Sequence, residues 1–104
     1  MAVAHLNKES FVEMTSHGLS MVDFWATWCG PCQALLPVIE ELGQQLEGSV
    51  NVGKVNVDEN RELAKEFRVM SIPTVIFFKD GEEVDRMVGA SPKNAYLERL
   101  EKLK

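Results

Sequence analysis

The two cysteines of this 104-residue chain lie two residues apart, in the segment Trp28-Cys29-Gly30-Pro31-Cys32. Thiols at this spacing can close a small disulfide. The segment follows an apolar run that predicts a strand and precedes a run that predicts a helix over 33–46. Free N–H groups at a helix start favour the thiolate over the thiol. The pair therefore predicts reversible redox chemistry.

The two cysteines are expected to have different roles. Cys29 precedes the helix, where backbone N–H groups and solvent can reach it, so we expect it to be the nucleophile. Cys32 lies inside the first turn and is predicted to be more buried, which makes it the resolving thiol. Gly30 lets a substrate approach closely, and Pro31 suits the first helical turn.

Two other interpretations of the cysteine pair are weaker. A zinc site would need two more ligands, and the only histidines, His5 and His17, lie upstream and twelve residues apart, unlike the usual zinc spacing. A structural disulfide across a loop of four residues would add only about 2 kcal/mol. It would also be unusual in a reducing compartment. We therefore expect neither a metal nor a bound cofactor.

A second candidate, Asp23, interrupts an apolar strand six residues before Cys29. It is either a hydrogen-bonded residue at a sheet edge or strand end, or a buried carboxyl behind the cysteines whose pKa burial raises. In the second case it could take the proton of Cys32, directly or through a water, when that thiol attacks a mixed disulfide. Lys54 on the next predicted strand is a possible charge partner of Asp23. The alternative is a solvated lysine at a sheet edge.

A third candidate is Pro73, which stands between Ile72 and a strongly apolar strand over 74–78. Proline cannot donate to a strand ladder, so we expect it at the first residue of that strand. It is either a simple strand-start proline or part of a cis bond. A cis bond would turn the backbone toward the dithiol and expose the Ile72 carbonyl and N–H to an extended substrate.

Hydrophobic spacing predicts the elements that must position these residues. Strands are predicted over 3–6, 20–26, 50–57, 74–78 and 82–88, and helices over 8–17, 33–46, after Asn60 and after a Ser91-Pro92 cap. Asp80-Gly81 predicts a type I′ turn between the last two strands. The order βαβαβαββα predicts an α/β fold with a central mixed five-stranded sheet and four helices on both faces, in one domain over 1–104.

The composition excludes several classes of function. A net charge of −5 without a basic cluster argues against nucleic-acid binding. No apolar run approaches the roughly 18 residues that cross a bilayer. The first residues, Met1 to His5, lack the basic and apolar regions of a signal peptide. We expect a cytoplasmic protein, monomeric by default and without membrane contact.

In order and spacing these motifs resemble the thioredoxin family over essentially all 104 residues. The segments that carry the resemblance are Val22-Asp23-Phe24-Trp25-Ala26-Thr27-Trp28-Cys29-Gly30-Pro31-Cys32, Pro37, Lys54-Val55-Asn56-Val57-Asp58, Ile72-Pro73-Thr74 and Val88-Gly89-Ala90. The resemblance implies the thioredoxin fold and a protein-disulfide reductase that carries electrons. The implied partners are a thioredoxin reductase as electron donor and disulfide-containing target proteins.

The resemblance also implies roles for individual residues. Cys29 would be the nucleophile, Cys32 the resolving thiol, Asp23 the buried proton acceptor and Pro73 a cis-proline facing the dithiol. The implied apolar docking surface comprises Trp28, Gly30, Pro31, Ile72 and Gly89.

Two positions depart from the family pattern. Gln33 stands where the family often has lysine, and Met70-Ser71 replaces the usual basic or small pair. Both changes reduce positive charge near the thiolate, so Cys29 is expected to be less acidic than is typical. Met70 also adds an adaptable apolar contact for partners.

Two alternative functions stay open at this point. The same dithiol could act as an isomerase or oxidant, although Gly-Pro between the thiols resembles the reducing branch of the family. The chain could instead be a binding module that docks a partner through the surface around Trp28 and Ile72, without redox turnover.

Overall fold

The computed structural model describes residues 2–104 and orders them as the sequence predicts, βαβαβαββα. The elements are β1 (Val3–His5), α1 (Lys8–Thr15), β2 (Leu19–Trp25), α2 (Gly30–Gln45), β3 (Asn51–Asn56), α3 (Arg61–Glu66), β4 (Thr74–Lys79), β5 (Glu82–Val88) and α4 (Lys93–Leu103).

The sheet is mixed and has the strand order β1-β3-β2-β4-β5. β1, β3 and β2 run parallel, whereas β4 is antiparallel to β2 and β5 is antiparallel to β4. Residues 74–78, the strongly apolar strand of the sequence analysis, are buried on both faces of the sheet. The middle strand, however, is β2, and its residues 20–24 have a paired strand on each side.

Helices pack on both faces of the sheet, as predicted. On one face, α2 and α4 bury an apolar cluster that includes Met21 of β2. On the other face, α1 and α3 cover a cluster that includes Val22 and Phe24. Because side chains alternate along a strand, Asp23 shares the α2 and α4 face with Met21. This alternation places the carboxyl of Asp23 on the face covered by the helix that begins at the cysteines.

Helix α2 begins at Gly30, three residues before its predicted start. Cys29 is its N-cap residue, with an extended backbone, and Pro31 occupies the first turn. Proline is favoured there because its missing N–H would have no intrahelical partner. Pro37 lies inside α2, and the helix continues beyond it to Gln45.

Several other predicted helix ends were wrong. Asn7 caps α1 through a capping box with Ser10, but α1 ends at Thr15 rather than at the predicted residue 17. Asn60 makes no side-chain cap bond to α3. Ser91 does not cap α4, because Pro92 is the N-cap residue and the Ser91 N–H donates to Tyr96 Oη at 3.1 Å.

The turn between β4 and β5 is as predicted. Asp80 has φ of 49° and Gly81 has φ of 90°, the left-handed values that a type I′ turn requires at both central residues. Among residues 2–104, no helix combines the length and the apolar character needed to span a bilayer.

Candidate active site

Cys29 and Cys32 form a disulfide at the N-terminus of α2, with their Cα atoms 5.2 Å apart. The structure is therefore that of the oxidised state. Cys29 Sγ accepts a hydrogen bond from the Cys32 backbone N–H at 3.2 Å. Cys29 is 6 % exposed and Cys32 is fully buried, so the predicted order of burial is confirmed. Of the two cysteines, only Cys29 has any exposed surface.

The segment before β4 packs against the Cys29 sulfur. The Ile72–Pro73 peptide bond is cis, as one of the two sequence interpretations predicted. Cys29 Sγ lies 3.8 Å from the Ile72 carbonyl oxygen. Pro73 immediately precedes the first residue of β4 instead of being that residue, and its carbonyl accepts from the Gly89 N–H at 2.8 Å. Residues from three distant parts of the chain thus meet at the disulfide.

An apolar surface adjoins the disulfide on its solvent side. Trp28 is 70 % exposed and Met70 is 92 % exposed, which is unusual for large apolar side chains. They border a shallow cavity of about 330 Å³, whose lining is completed by Val57, Val69, Ser71 and Ile72. Gly30 and Pro31 are exposed beside it at the start of α2. Among the residues predicted for docking, Trp28 and Ile72 therefore share one surface.

Asp23 is a buried carboxyl. It is completely inaccessible to solvent, and within residues 2–104 neither carboxyl oxygen has a hydrogen-bond partner. Desolvation by burial raises the pKa of Asp23 from 3.8 to about 7, and the nearby charge of Lys54 opposes this rise. The alternative of a residue at a sheet edge is wrong, because β2 is the middle strand.

Lys54 is also inside the fold. It is the register partner of Asp23 on the interior strand β3 and is 8 % exposed, so the alternative of a solvated edge lysine is wrong. Its Nζ lies 4.0 Å from Glu40 Oε1 and 5.3 Å from the centre of the Trp25 ring. The ammonium thus has a carboxylate neighbour toward the surface as well as the buried one.

Sequence reasoning missed two contacts near the site. Asp58 Oδ2 accepts a hydrogen bond from Trp28 Nε1 at 2.8 Å and so fixes the exposed indole. Gln33 Nε2 donates to the Thr27 carbonyl oxygen at 3.2 Å, which ties the first turn of α2 to the preceding loop. Neither contact follows from strand or helix periodicity, because both involve loop residues.

A cysteine pair at a helix N-terminus, beside a cis-proline on a mixed sheet, defines the class of thiol–disulfide oxidoreductases. The sequence profile of the thioredoxin family matches residues 2–102. The thioredoxins of Staphylococcus saprophyticus and Staphylococcus haemolyticus are each 49 % identical over 102 residues, which cover 98 % of both chains compared. The chain belongs to the thioredoxin family and is a protein-disulfide reductase.

Solved structures of thioredoxins have the same fold. A single-site mutant of the thioredoxin from Halobacterium salinarum superposes with a TM-score of 0.89 at 35 % identity, covering 96 % of this chain and 88 % of that one. The thioredoxin of Malassezia sympodialis gives a TM-score of 0.87 at 34 % identity, covering 95 % and 89 %. The predicted thioredoxin fold is therefore confirmed.

The raised pKa of Asp23 predicts a specific pH dependence of stability. The unfolded chain ionises this carboxyl near its ordinary value of 3.8, whereas the folded protein retains the proton up to about 7. Stability therefore falls as the pH rises between these values, by about 4 kcal/mol in all, because each pKa unit corresponds to about 1.4 kcal/mol. Asp23→Asn should abolish this fall.

Urea unfolding of the oxidised protein measures the effect, since the disulfide cysteines do not titrate. The stability of Asp23→Asn relative to the wild type should rise by about 3 to 4 kcal/mol between about pH 4 and about pH 8. Comparing the two pH values removes the pH-independent cost of burying the amide. An unchanged difference between the two proteins would show that Asp23 ionises normally in the fold.

Proposed function

We propose that Cys29 attacks target disulfides and that Cys32 releases the reduced product. The supporting observation is the difference in exposure, 6 % for Cys29 and none for Cys32. The Cys29 thiolate forms a bond to one target sulfur, and the other target sulfur leaves as a thiolate and is protonated. The Cys32 thiolate then attacks Cys29 Sγ and displaces the first target sulfur. The target gains two electrons, and the Cys29–Cys32 disulfide forms.

Backbone groups stabilise the attacking thiolate. Cys29 is the N-cap of a 16-residue helix, and the Cys32 N–H points at its sulfur. The positive end of the helix dipole favours negative charge at this position. The first turn of α2 carries no acidic residue that would oppose this effect. Gln33 contributes a hydrogen bond within the loop, not a charge, so the backbone is the main source of stabilisation.

Asp23 is proposed to accept the proton of Cys32. Cys32 is fully buried, so its thiol cannot pass the proton directly to bulk water. Asp23 lies on the sheet face that α2 covers, and its pKa of about 7 makes it a base at neutral pH. Its carboxyl oxygens have no other hydrogen-bond partner within residues 2–104 and are therefore free to take up a proton.

Targets are proposed to bind as extended segments across the cis bond. Pro73 turns the Ile72 carbonyl toward the Cys29 sulfur, 3.8 Å away, so a segment pairing with Ile72 would bring its disulfide onto that sulfur. Trp28, Gly30, Pro31 and Gly89 would form the rest of the docking surface. Met70 would add a flexible apolar contact at its rim.

The proposed reaction requires a source of electrons. A thioredoxin reductase is the proposed donor that regenerates the dithiol, and disulfide-containing proteins are the proposed acceptors. A reducing compartment such as the cytoplasm is where this dithiol would act as a reductant. We further propose that residues 1–104 function as one domain and as a monomer.

Replacing each cysteine by serine tests the two roles. Cys29→Ser should abolish turnover of protein disulfides. Cys32→Ser should lower turnover by at least about 100-fold, because resolution loses its intramolecular thiol, and should accumulate a covalent complex with the target. Mass spectrometry under non-reducing conditions measures the complex. Normal turnover by Cys32→Ser, or a covalent complex formed by Cys29→Ser, would reverse or refute the assignment.

Asp23→Asn tests the proposed proton acceptor. The variant should fold and should resolve the mixed disulfide roughly 100-fold more slowly near neutral pH, because the amide cannot accept a proton. Its rate should also lose the inflection near the pKa of Asp23, which is about 7. The measurement is quenched-flow kinetics across pH. Asp80→Asn, in the distant β4–β5 turn, is the control and should keep the inflection. If Asp23→Asn also kept the inflection, Asp23 would not be the proton acceptor.

A further inference from the structure

Three charged residues lead from the middle of the sheet to the surface. Asp23 on β2 is fully buried, and Lys54 on β3 is 8 % exposed. Glu40 on α2 completes the series, with 49 % of its side chain exposed. Glu40 is exposed to solvent, and one of its carboxylate oxygens lies 4.0 Å from the Lys54 ammonium. A surface carboxylate is thus connected to the buried one through a single cation.

The contacts of Lys54 define this connection. Lys54 and Asp23 are register partners on neighbouring parallel strands, so their side chains lie on the same face of the sheet. The Lys54 Nζ lies 4.0 Å from Glu40 Oε1 and over the Trp25 ring. The ammonium is therefore paired with Glu40 near water, and its charge also acts on the buried Asp23 on the same face of the sheet.

Within residues 2–104, the other elements that pack around Asp23 add no second partner for the Lys54 ammonium. β4 contributes the apolar Val75 opposite Asp23. The N-cap and the first turn of α2 hold the two cysteines, which do not titrate in the disulfide state. α4 contributes Tyr96, a phenol whose pKa is raised by burial and which accepts a hydrogen bond from Ser91. Of the ion pairs among residues 2–104, the one with Glu40 is the only one that includes Lys54.

We propose that Glu40 is a positioning residue that maintains the basicity of Asp23 by acting on Lys54. The Glu40 carboxylate draws the ammonium outward and offsets part of its charge. Without it, the positive charge of Lys54 would act on Asp23 alone and favour the carboxylate over the acid. The proton affinity of Asp23 would then fall. This inference deepens the proposed function, because it rests on Asp23 as the proton acceptor of Cys32.

Neighbouring glutamates of α2 provide a matched test. Glu40→Gln removes the charge beside Lys54, and Glu41→Gln removes an adjacent charge that pairs instead with Lys93 at 2.8 Å. In the oxidised protein at low ionic strength, Glu40→Gln should lower the pKa of Asp23 by about 0.5 to 1 unit. Glu41→Gln should change it by less than about 0.2. The measurement is a ¹³C NMR titration of the Asp23 carboxyl carbon.

A double-variant cycle tests the route through lysine. In a Lys54→Met background, Glu40→Gln should lower the pKa of Asp23 by less than about half as much as it does when Lys54 is present. An unchanged titration in Glu40→Gln overturns the inference, as does an equal effect of the two glutamine variants. An undiminished effect without Lys54 also overturns it, because Glu40 would then act directly on Asp23.

Kinetics separate this inference from the proposed function. The midpoint of the pH dependence of mixed-disulfide resolution should move to lower pH in Glu40→Gln, by the same amount as the titration of Asp23. If the titration moves and the kinetic midpoint does not, the link between Glu40 and Asp23 is supported and the role of Asp23 as proton acceptor is refuted. If neither moves, the inference fails, while Asp23→Asn still decides the role of Asp23.

Discussion

The burial of the Asp23 carboxyl on the middle strand is the constraint on which the rest of the structure depends. A carboxylate without hydrogen-bond partners inside the sheet costs about 4 kcal/mol at alkaline pH. Domains of this size are stable by only about 5 to 15 kcal/mol. The apolar clusters on both faces of the sheet must therefore offset this cost. The same burial makes Asp23 a base near neutral pH.

The reactive disulfide depends on a second arrangement, in which separate chain segments meet at one end of the sheet. The chain leads from β2 to Cys29 at the N-terminus of α2, and the Ile72 carbonyl, which precedes β4, lies beside the Cys29 sulfur. The Gly89 N–H donates a hydrogen bond to the Pro73 carbonyl and so holds this segment in place. The site therefore combines a helix start that can stabilise a thiolate with a backbone carbonyl beside the Cys29 sulfur.

Much of this arrangement could be predicted from the sequence. Strand parity gives the face on which a side chain lies, and the cysteine spacing predicts the redox pair. Parity cannot tell which strand is in the middle, so the burial of Asp23 and Lys54 became clear only from the strand order. Sequence reasoning missed Glu40 because its contact with Lys54 depends on how α2 packs over β3. The predicted cap at Ser91 was wrong because α4 begins at Lys93, which makes Pro92 the N-cap residue.

The most direct test of the account is the reduction potential of the Cys29–Cys32 pair. It can be measured in thiol–disulfide buffers through the fluorescence of Trp25 and Trp28, which flank the site. A reductase of protein disulfides should give a value below roughly −250 mV. A value near about −180 mV or higher would contradict the account and indicate an isomerase or oxidant. A lack of any redox-dependent change, confirmed by thiol counting, would indicate a binding module.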